Sequence, residues 1–242
     1  MSAADPVRAV LLDAFGTLLH LDAPAPLLRE LLAQRLGVKV TEAQSSSALS
    51  AEIAYYRAHM AQGSDARRVA DLRLRCAEVL RGALPGSPQL LSADPRTIVS
   101  LLLDSLRFRA YPEVPGTLAR LRQAGLGLVV VSNWDATLDT VLDRVGILAA
   151  LDAVVSSAVA GAAKPDPLPL RLGLELAGVG AAEAIHVGDG LDEDVAGAIA
   201  AGIRPVLVRR GPGGAEHDQD AERHPGVQRI TSLDGLVALL GL

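Results

Sequence analysis

The chain has 242 residues, of which 50% are hydrophobic and only 2% aromatic, and a formal net charge of −5. That length suits one large domain, or one domain carrying an inserted second, with a core built from Leu, Val and Ala. The acidic balance and scattered arginines argue against nucleic acid or an anionic membrane surface as partner, and the single cysteine, Cys76, excludes an internal disulfide.

The N-terminal MSAADPVRAV has no basic stretch leading into an apolar one, and no apolar run reaches membrane-spanning length, so the sequence reads as soluble and cytoplasmic. The first strand is expected over Val7–Leu12, ending on Asp13. From residue 20 to about 110 the pattern is helical: Ala25–Leu36, Glu42–Met60, Ala66–Leu84 and Pro95–Arg107, with breaks at Gly37, Gly63-Ser64 and Leu84–Pro88. Apolar side chains recur there at helical spacing, as in Val69, Leu72, Cys76, Val79 and Leu80. Tyr55 and Tyr56 read as core packing of the same module. Apolar strands resume at Leu126–Val131, Ala153–Ser156, Ala184–Val187 and Pro205–Val208. Between and after them fall helices Thr117–Gln123, Ala136–Val145, Leu168–Ala177 and Asp192–Ala201, each followed by a glycine stop signal. Gly211–Val227 reads as a solvated connection.

Continuous apolar strands alternating with helices mean βαβ units. The expected fold is α/β: an open, parallel, Rossmann-like sheet flanked by helices, made of residues 1–19 and 111–242, with a helical domain inserted at 20–110.

In open α/β sheets, ligands bind outside the carboxyl ends of the strands. That edge gathers Asp13, Ser132, Asn133 and Asp189, with Asp192, Glu193 and Asp194 just beyond and Lys164 in a loop before a helix. Singly, each has a plain structural explanation as a turn former, a cap or a surface lysine. Asp192 is expected to cap its helix, and Asp135 another. Their convergence at one edge asks for more. Two facing carboxylates repel unless a cation lies between them, and hard oxygen donors favour Mg²⁺. With Lys164 and the Ser132 hydroxyl, the site would surround a phosphoryl group with positive charge and donors, and a carboxylate in reach could attack phosphorus.

Asp13-Ala14-Phe15-Gly16-Thr17, the strand ending Val131-Ser132-Asn133, Lys164-Pro165-Asp166-Pro167, and His186-Val187-Gly188-Asp189-Gly190 with Asp194 resemble, in order, the four motifs of the haloacid dehalogenase superfamily of hydrolases. The helical insert resembles that family's cap of the first type. The resemblance implies that Asp13 is the nucleophile and a Mg²⁺ ligand. The Phe15 backbone carbonyl and Asp189 would bind Mg²⁺ directly, and Asp194 through water. Ser132 would hydrogen-bond the transferring phosphoryl group, Lys164 would neutralise charge on nucleophile and phosphate, and Thr17 and Asn133 would support the site.

Phosphatases of this superfamily usually carry a second Asp where this chain has Phe15; it serves as general acid and base, help typically worth about 10²–10⁴-fold. An aromatic residue there is typical of the metal-independent 2-haloacid dehalogenases. Those enzymes, however, replace the Gly-Asp motif that stands intact here as Gly188-Asp189. They also hold halide with a cap arginine that has no counterpart near Thr41–Ser45. The resemblance therefore implies a Mg²⁺-dependent phosphatase for a small phosphorylated molecule. The alternatives are a 2-haloacid dehalogenase and a weakly catalytic phospho-ligand-binding relative. His20 and Asp135 are candidates to replace the missing acid. His186 reads as a core or turn histidine, and His59, His217 and His224 as surface residues.

Overall fold

The computed structural model describes residues 6–211 and 224–242. Its strands are β1 (Ala9–Leu12), β2 (Leu19–Leu21), β3 (Phe108–Ala110), β4 (Gly127–Ser132), β5 (Ala153–Ser156), β6 (Ala184–Gly188), β7 (Arg204–Val208) and β8 (Gln228–Ile230). Six of them form one parallel sheet in the order β5-β4-β1-β6-β7-β8. β1, the first strand, lies inside the sheet because the chain builds outward on one side of it through β4 and β5, then crosses to the other side for β6. That reversal sets the carboxyl ends of β4, β1 and β6 side by side, about 5 Å apart.

β1 and β6 are buried along their whole length, and β4 is buried from Leu128 onward. This is why they read as unbroken apolar runs instead of alternating patterns. Helices α6 (Val114–Gln123), α7 (Leu138–Arg144), α8 (Ser157–Ala160), α9 (Leu168–Ala177), α10 (Ala196–Ala201) and a last one at Asp234–Leu240 accompany the sheet. α9 lays Leu170 and Leu174 on Leu11, Val129 and Val131, each such side chain contributing roughly 1.5–3 kcal/mol. The helix can come that close because it carries Gly173: a Cβ there would meet the Val131 side chain at 2.9 Å.

The chain divides into two compact units, one running to His20 and resuming at Ala110, the other Leu21–Arg109. The second is helical: α1 (Pro24–Leu36), α2 (Glu42–His59), α3 (Ala66–Ala83), α4 (Pro88–Ser92) and α5 (Pro95–Ser105). Thr41 starts α2 with a reciprocal capping box to Gln44, and Asp65 starts α3 by accepting from the Arg68 amide. Of the expected α3 stripe, Val69, Leu72, Cys76 and Leu80 are buried with Ala77 beside them, while Val79 is half-buried at its edge. Tyr55 and Tyr56 pack against the same core. β2 and β3, which the sequence pattern did not disclose, pair with each other where the chain passes between the units. No helix among the described residues is long and apolar enough to cross a membrane.

Two expected caps are corrected. The helix expected at Asp192 begins instead as a π-helical turn, Leu191–Val195, before α10. Asp192 is exposed, and the Gly190 amide is taken by the Asp194 carboxylate at 2.9 Å. Asp135 accepts from the Thr137 amide at 2.9 Å and hydroxyl at 2.5 Å, so it braces the turn before α7 and does not cap the helix. Of the Gly211–Val227 connection, residues 212–223, His217 among them, lie outside the described residues.

Candidate active site

Asp13 is the first residue past β1, and its amide still donates to the Val187 carbonyl on β6 at 2.8 Å. The strand ladder therefore fixes its backbone. Ser132 ends β4, the adjacent strand, and its hydroxyl donates to Asp13 Oδ1 at 2.9 Å. Lys164 lies 151 residues along the chain from Asp13 and donates to the same oxygen at 2.8 Å. It also donates to Asp194 Oδ1 at 2.5 Å and to the Val131 carbonyl at 2.7 Å. All three of its donors are therefore used, and Lys164 is only 3% exposed. A surface lysine it is not.

Asn133 holds Lys164 in place by copying a strand partner. Its Oδ1 accepts from the Lys164 amide at 2.8 Å and its Nδ2 donates to the Lys164 carbonyl at 3.0 Å. The same Nδ2 reaches Glu193 Oε2, also at 3.0 Å, so Glu193 braces the brace. His186, buried in β6, places Nε2 3.0 Å from Asp194 Oδ1. The expectation of a buried strand histidine holds, and its contact with Asp194 is new information from the fold.

Asp13, Asp189 and Asp194 each offer an oxygen, and these oxygens lie within 4.8 Å of one another. Against these three carboxylates stands the Lys164 ammonium, paired with two of them. Burial, reinforced by the Asp194 and Asp189 charges and opposed by Lys164, raises the Asp13 carboxyl from 3.8 to about 6. Burial also raises Asp194, but Lys164 and His186 outweigh it and hold this carboxyl well below its ordinary range. Burial and the Asp194 charge push Asp189 upward. Burial alone would lower Lys164, yet the two aspartates drive it above its ordinary value. The ammonium is thus permanent, and Asp13 and Asp189 are the carboxylates left under-compensated.

The cluster suits a hard cation on two counts. Its donors are all oxygens, as Mg²⁺ requires. It also keeps its space open through Gly16, which sits at φ +86°, where a Cβ would fall 2.0 Å from Asp189 Oδ2. Phe15 precedes this glycine in the same turn, with its side chain 38% exposed. Thr17 follows it, fully buried, and its hydroxyl has no hydrogen-bond partner among the described residues. His20 lies farther along, its ring 4.9 Å from that of Tyr111.

Sequence reasoning overlooked the arginines beyond β7. Arg209 donates to the Asp189 carbonyl, and Arg210 donates to the carbonyls of Gly16 and Thr17 at 3.1 and 2.7 Å. Two consecutive arginines at a strand's carboxyl end were the available signal.

A family model for haloacid dehalogenase-like hydrolases matches residues 7–202. Haloacid dehalogenase-like hydrolase domain-containing protein 3 of Danio rerio is 30% identical over 97% of both chains. The Bos taurus protein of that description is 42% identical over 92 residues, 38% of this chain and 37% of its own length. A phosphoserine phosphatase of Thermus thermophilus is 39% identical over 106 residues, 43% of each chain. Among solved structures, a dehalogenase with an intermediate complex superposes with a TM-score of 0.67 at 26% identity, covering 99% of this chain and all of the other. With its parallel sheet, its ordered motifs and a model match over most of its length, this chain belongs to the haloacid dehalogenase-like hydrolase family.

Proposed function

We propose that the protein is a Mg²⁺-dependent phosphatase of small phosphate esters, acting through a phosphoryl group carried on Asp13. One observation carries the reading: a buried carboxylate held by Ser132 and Lys164 within an all-oxygen acidic cluster. The phosphoserine phosphatase among its relatives supports the same reaction class.

Ser132 and Lys164 both donate to Asp13 Oδ1, which leaves Oδ2 as the attacking oxygen. As Oδ2 bonds to phosphorus, the ester P–O bond breaks and the leaving oxygen departs with the bonding pair, taking its proton from water. Water then cleaves the acyl phosphate and regenerates Asp13. Lys164 neutralises charge throughout, and the Ser132 hydroxyl can turn from Asp13 to a phosphoryl oxygen. Asp13, Asp189, Asp194 and the Phe15 main-chain oxygen would hold Mg²⁺, which supplies Lewis-acid stabilisation of phosphoryl charge when bound. With Phe15 in place of an acid, the leaving oxygen gets no carboxylic proton from that position, so esters of acidic alcohols and phenols are the better substrates. The helical unit Leu21–Arg109 would act as the cap that selects the ester. The protein would work on a dissolved metabolite in the cytoplasm, without nucleic acid or membrane.

The test is turnover of 4-nitrophenyl phosphate in Mg²⁺ and in excess chelator, with Asp13→Asn as the blank. Metal-dependent release of nitrophenol, lost in the variant, is expected. Halide release from 2-chloropropionate that persists in chelator would replace this reading with the dehalogenase one.

A further inference from the structure

Arg210 stands two residues beyond β7 and has each of its three guanidinium nitrogens engaged. Nε donates to the Gly16 carbonyl at 3.1 Å, Nη2 to the Thr17 carbonyl at 2.7 Å, and Nη1 to Glu113 Oε1 at 2.6 Å. The Arg210 Cζ lies over the Tyr111 ring, 3.5 Å from the centroid. Glu113 is held in turn, since its Oε1 also accepts from the Leu233 amide at 3.3 Å. Three of the five N–H donors of Arg210 are thus spent on acceptors within the protein, one from each nitrogen. Its effort goes into two main-chain carbonyls, and those belong to the turn that follows the nucleophile.

That turn is where the acidic cluster meets the chain. The α-carbon of Gly16 abuts the Asp189 carboxylate, and Phe15 comes immediately before it. The turn's own bonds are local: the Gly16 amide to the Leu19 carbonyl, and the Leu18 and Leu19 amides to the Ala14 carbonyl, each at 2.8 Å. Local bonds fix the shape of the turn but not its placement. Arg210 adds two long-range ties, from a residue 194 positions beyond Gly16, beside the Tyr111 amide that holds the Leu18 carbonyl at 3.0 Å. Its neighbour Arg209 meanwhile holds the Asp189 carbonyl, so the end of β7 grips both sides of the cluster.

We propose that Arg210, fixed by Glu113 and Tyr111, is a positioning residue that sets the Gly16–Thr17 turn against Asp189 and thereby sets the affinity of the cluster for its divalent cation. The inference rests on the Mg²⁺-dependent reading above. The two carbonyls are taken by separate nitrogens, Nε and Nη2, held at a fixed spacing along one edge of a planar fork that a single ammonium nitrogen does not reproduce, so lysine should not substitute for it.

The experiment compares wild type, Arg210→Lys and Arg210→Met in two readouts. Calorimetric titration with MgCl₂, without substrate, gives the dissociation constant. Amide hydrogen exchange of Gly16, Leu18 and Leu19 in chelator gives the order of the turn. Partners that orient metal ligands are typically worth about 10–100-fold in metal affinity. Both variants should weaken Mg²⁺ binding by that factor and should exchange the turn amides faster, while amides of β1 and β4 stay protected. The sign separates placement from simple charge: a cation near the site repels Mg²⁺, so removing it in Arg210→Met would tighten binding if charge were its whole role. Wild-type affinity or tighter binding in Arg210→Met, or full rescue by lysine, overturns the proposal and leaves the phosphatase reading standing. A wild type that takes up no Mg²⁺ overturns both.

Discussion

Replacing Asp13 by asparagine should stabilise the metal-free protein at neutral pH, although Asp13 is the expected nucleophile. Its carboxyl is raised from 3.8 to about 6 by burial, the nearby Asp194 and Asp189 charges adding to this and Lys164 opposing it. At about 1.4 kcal/mol per pH unit, ionising it in the folded state costs about 3 kcal/mol. A carboxyl whose pKa is higher folded than unfolded favours folding below pH 3.8 and loses that contribution as the pH rises past about 6. Asparagine keeps the shape without the charge. Lys164 is not orphaned by the change, because it retains Asp194 and the Val131 carbonyl. In chelator at pH 7.5, Asp13→Asn should therefore melt about 6–12 °C above wild type, and the gap should close towards pH 4. Added Mg²⁺ should raise wild type and shrink the gap by mass action. Differential scanning calorimetry across this pH range reads the effect. A variant equal to or less stable than wild type at pH 7.5 would refute the claim that Asp13 is under-compensated.

Lys164→Met leaves Asp13 and Asp194 facing each other without their ammonium, and urea unfolding at pH 7.5 should show a loss of about 3–5 kcal/mol. Without Lys164 the Asp13 carboxyl rises further, so acidification from neutral pH should protonate it and recover part of that loss. Gly16→Ala puts a methyl group 2.0 Å from Asp189 Oδ2 at a left-handed φ. Mg²⁺ affinity by calorimetry should fall by about tenfold or more, with the circular dichroism spectrum unchanged. Phe15→Asp restores an acid beside the nucleophile. Steady-state kinetics should show alkyl phosphate turnover rising by about 10²-fold or more, and 4-nitrophenyl phosphate, with its good leaving group, gaining far less.

The sheet was legible because its strands are covered on both faces and so spell continuous apolar runs; Ala153–Ser156 matches to the residue. β2, β3 and β8 are three residues each, too short for any period to register. The motif resemblance already set Asp194 apart from Asp192, but the physical reason lies in an approach that sequence does not show: Gly188 lies so near Asp194 that a Cβ would sit 2.1 Å from its Cγ. Asp13, Ser132 and Asp189 could be found because each ends or follows a strand that was already clear, and Lys164 because it leads into the expected helix Leu168–Ala177. Arg210 could not, since its worth depends on carbonyls from the opposite end of the chain, and a carbonyl carries no signature of residue type.

The crossing between the two units carries a last consequence. In the sheet unit the chain is closed where it departs, by the Tyr111 amide on the Leu18 carbonyl at 3.0 Å; in the helical unit it is closed by the Asp22 amide on the Arg107 carbonyl at 2.9 Å. Each unit thus has its own knot at the crossing, and neither needs the other to bring its two chain segments together. Such an arrangement makes the helical unit a replaceable part. It could be lengthened, shortened or exchanged while the aspartates, the lysine and the arginine pair keep their places in the sheet unit.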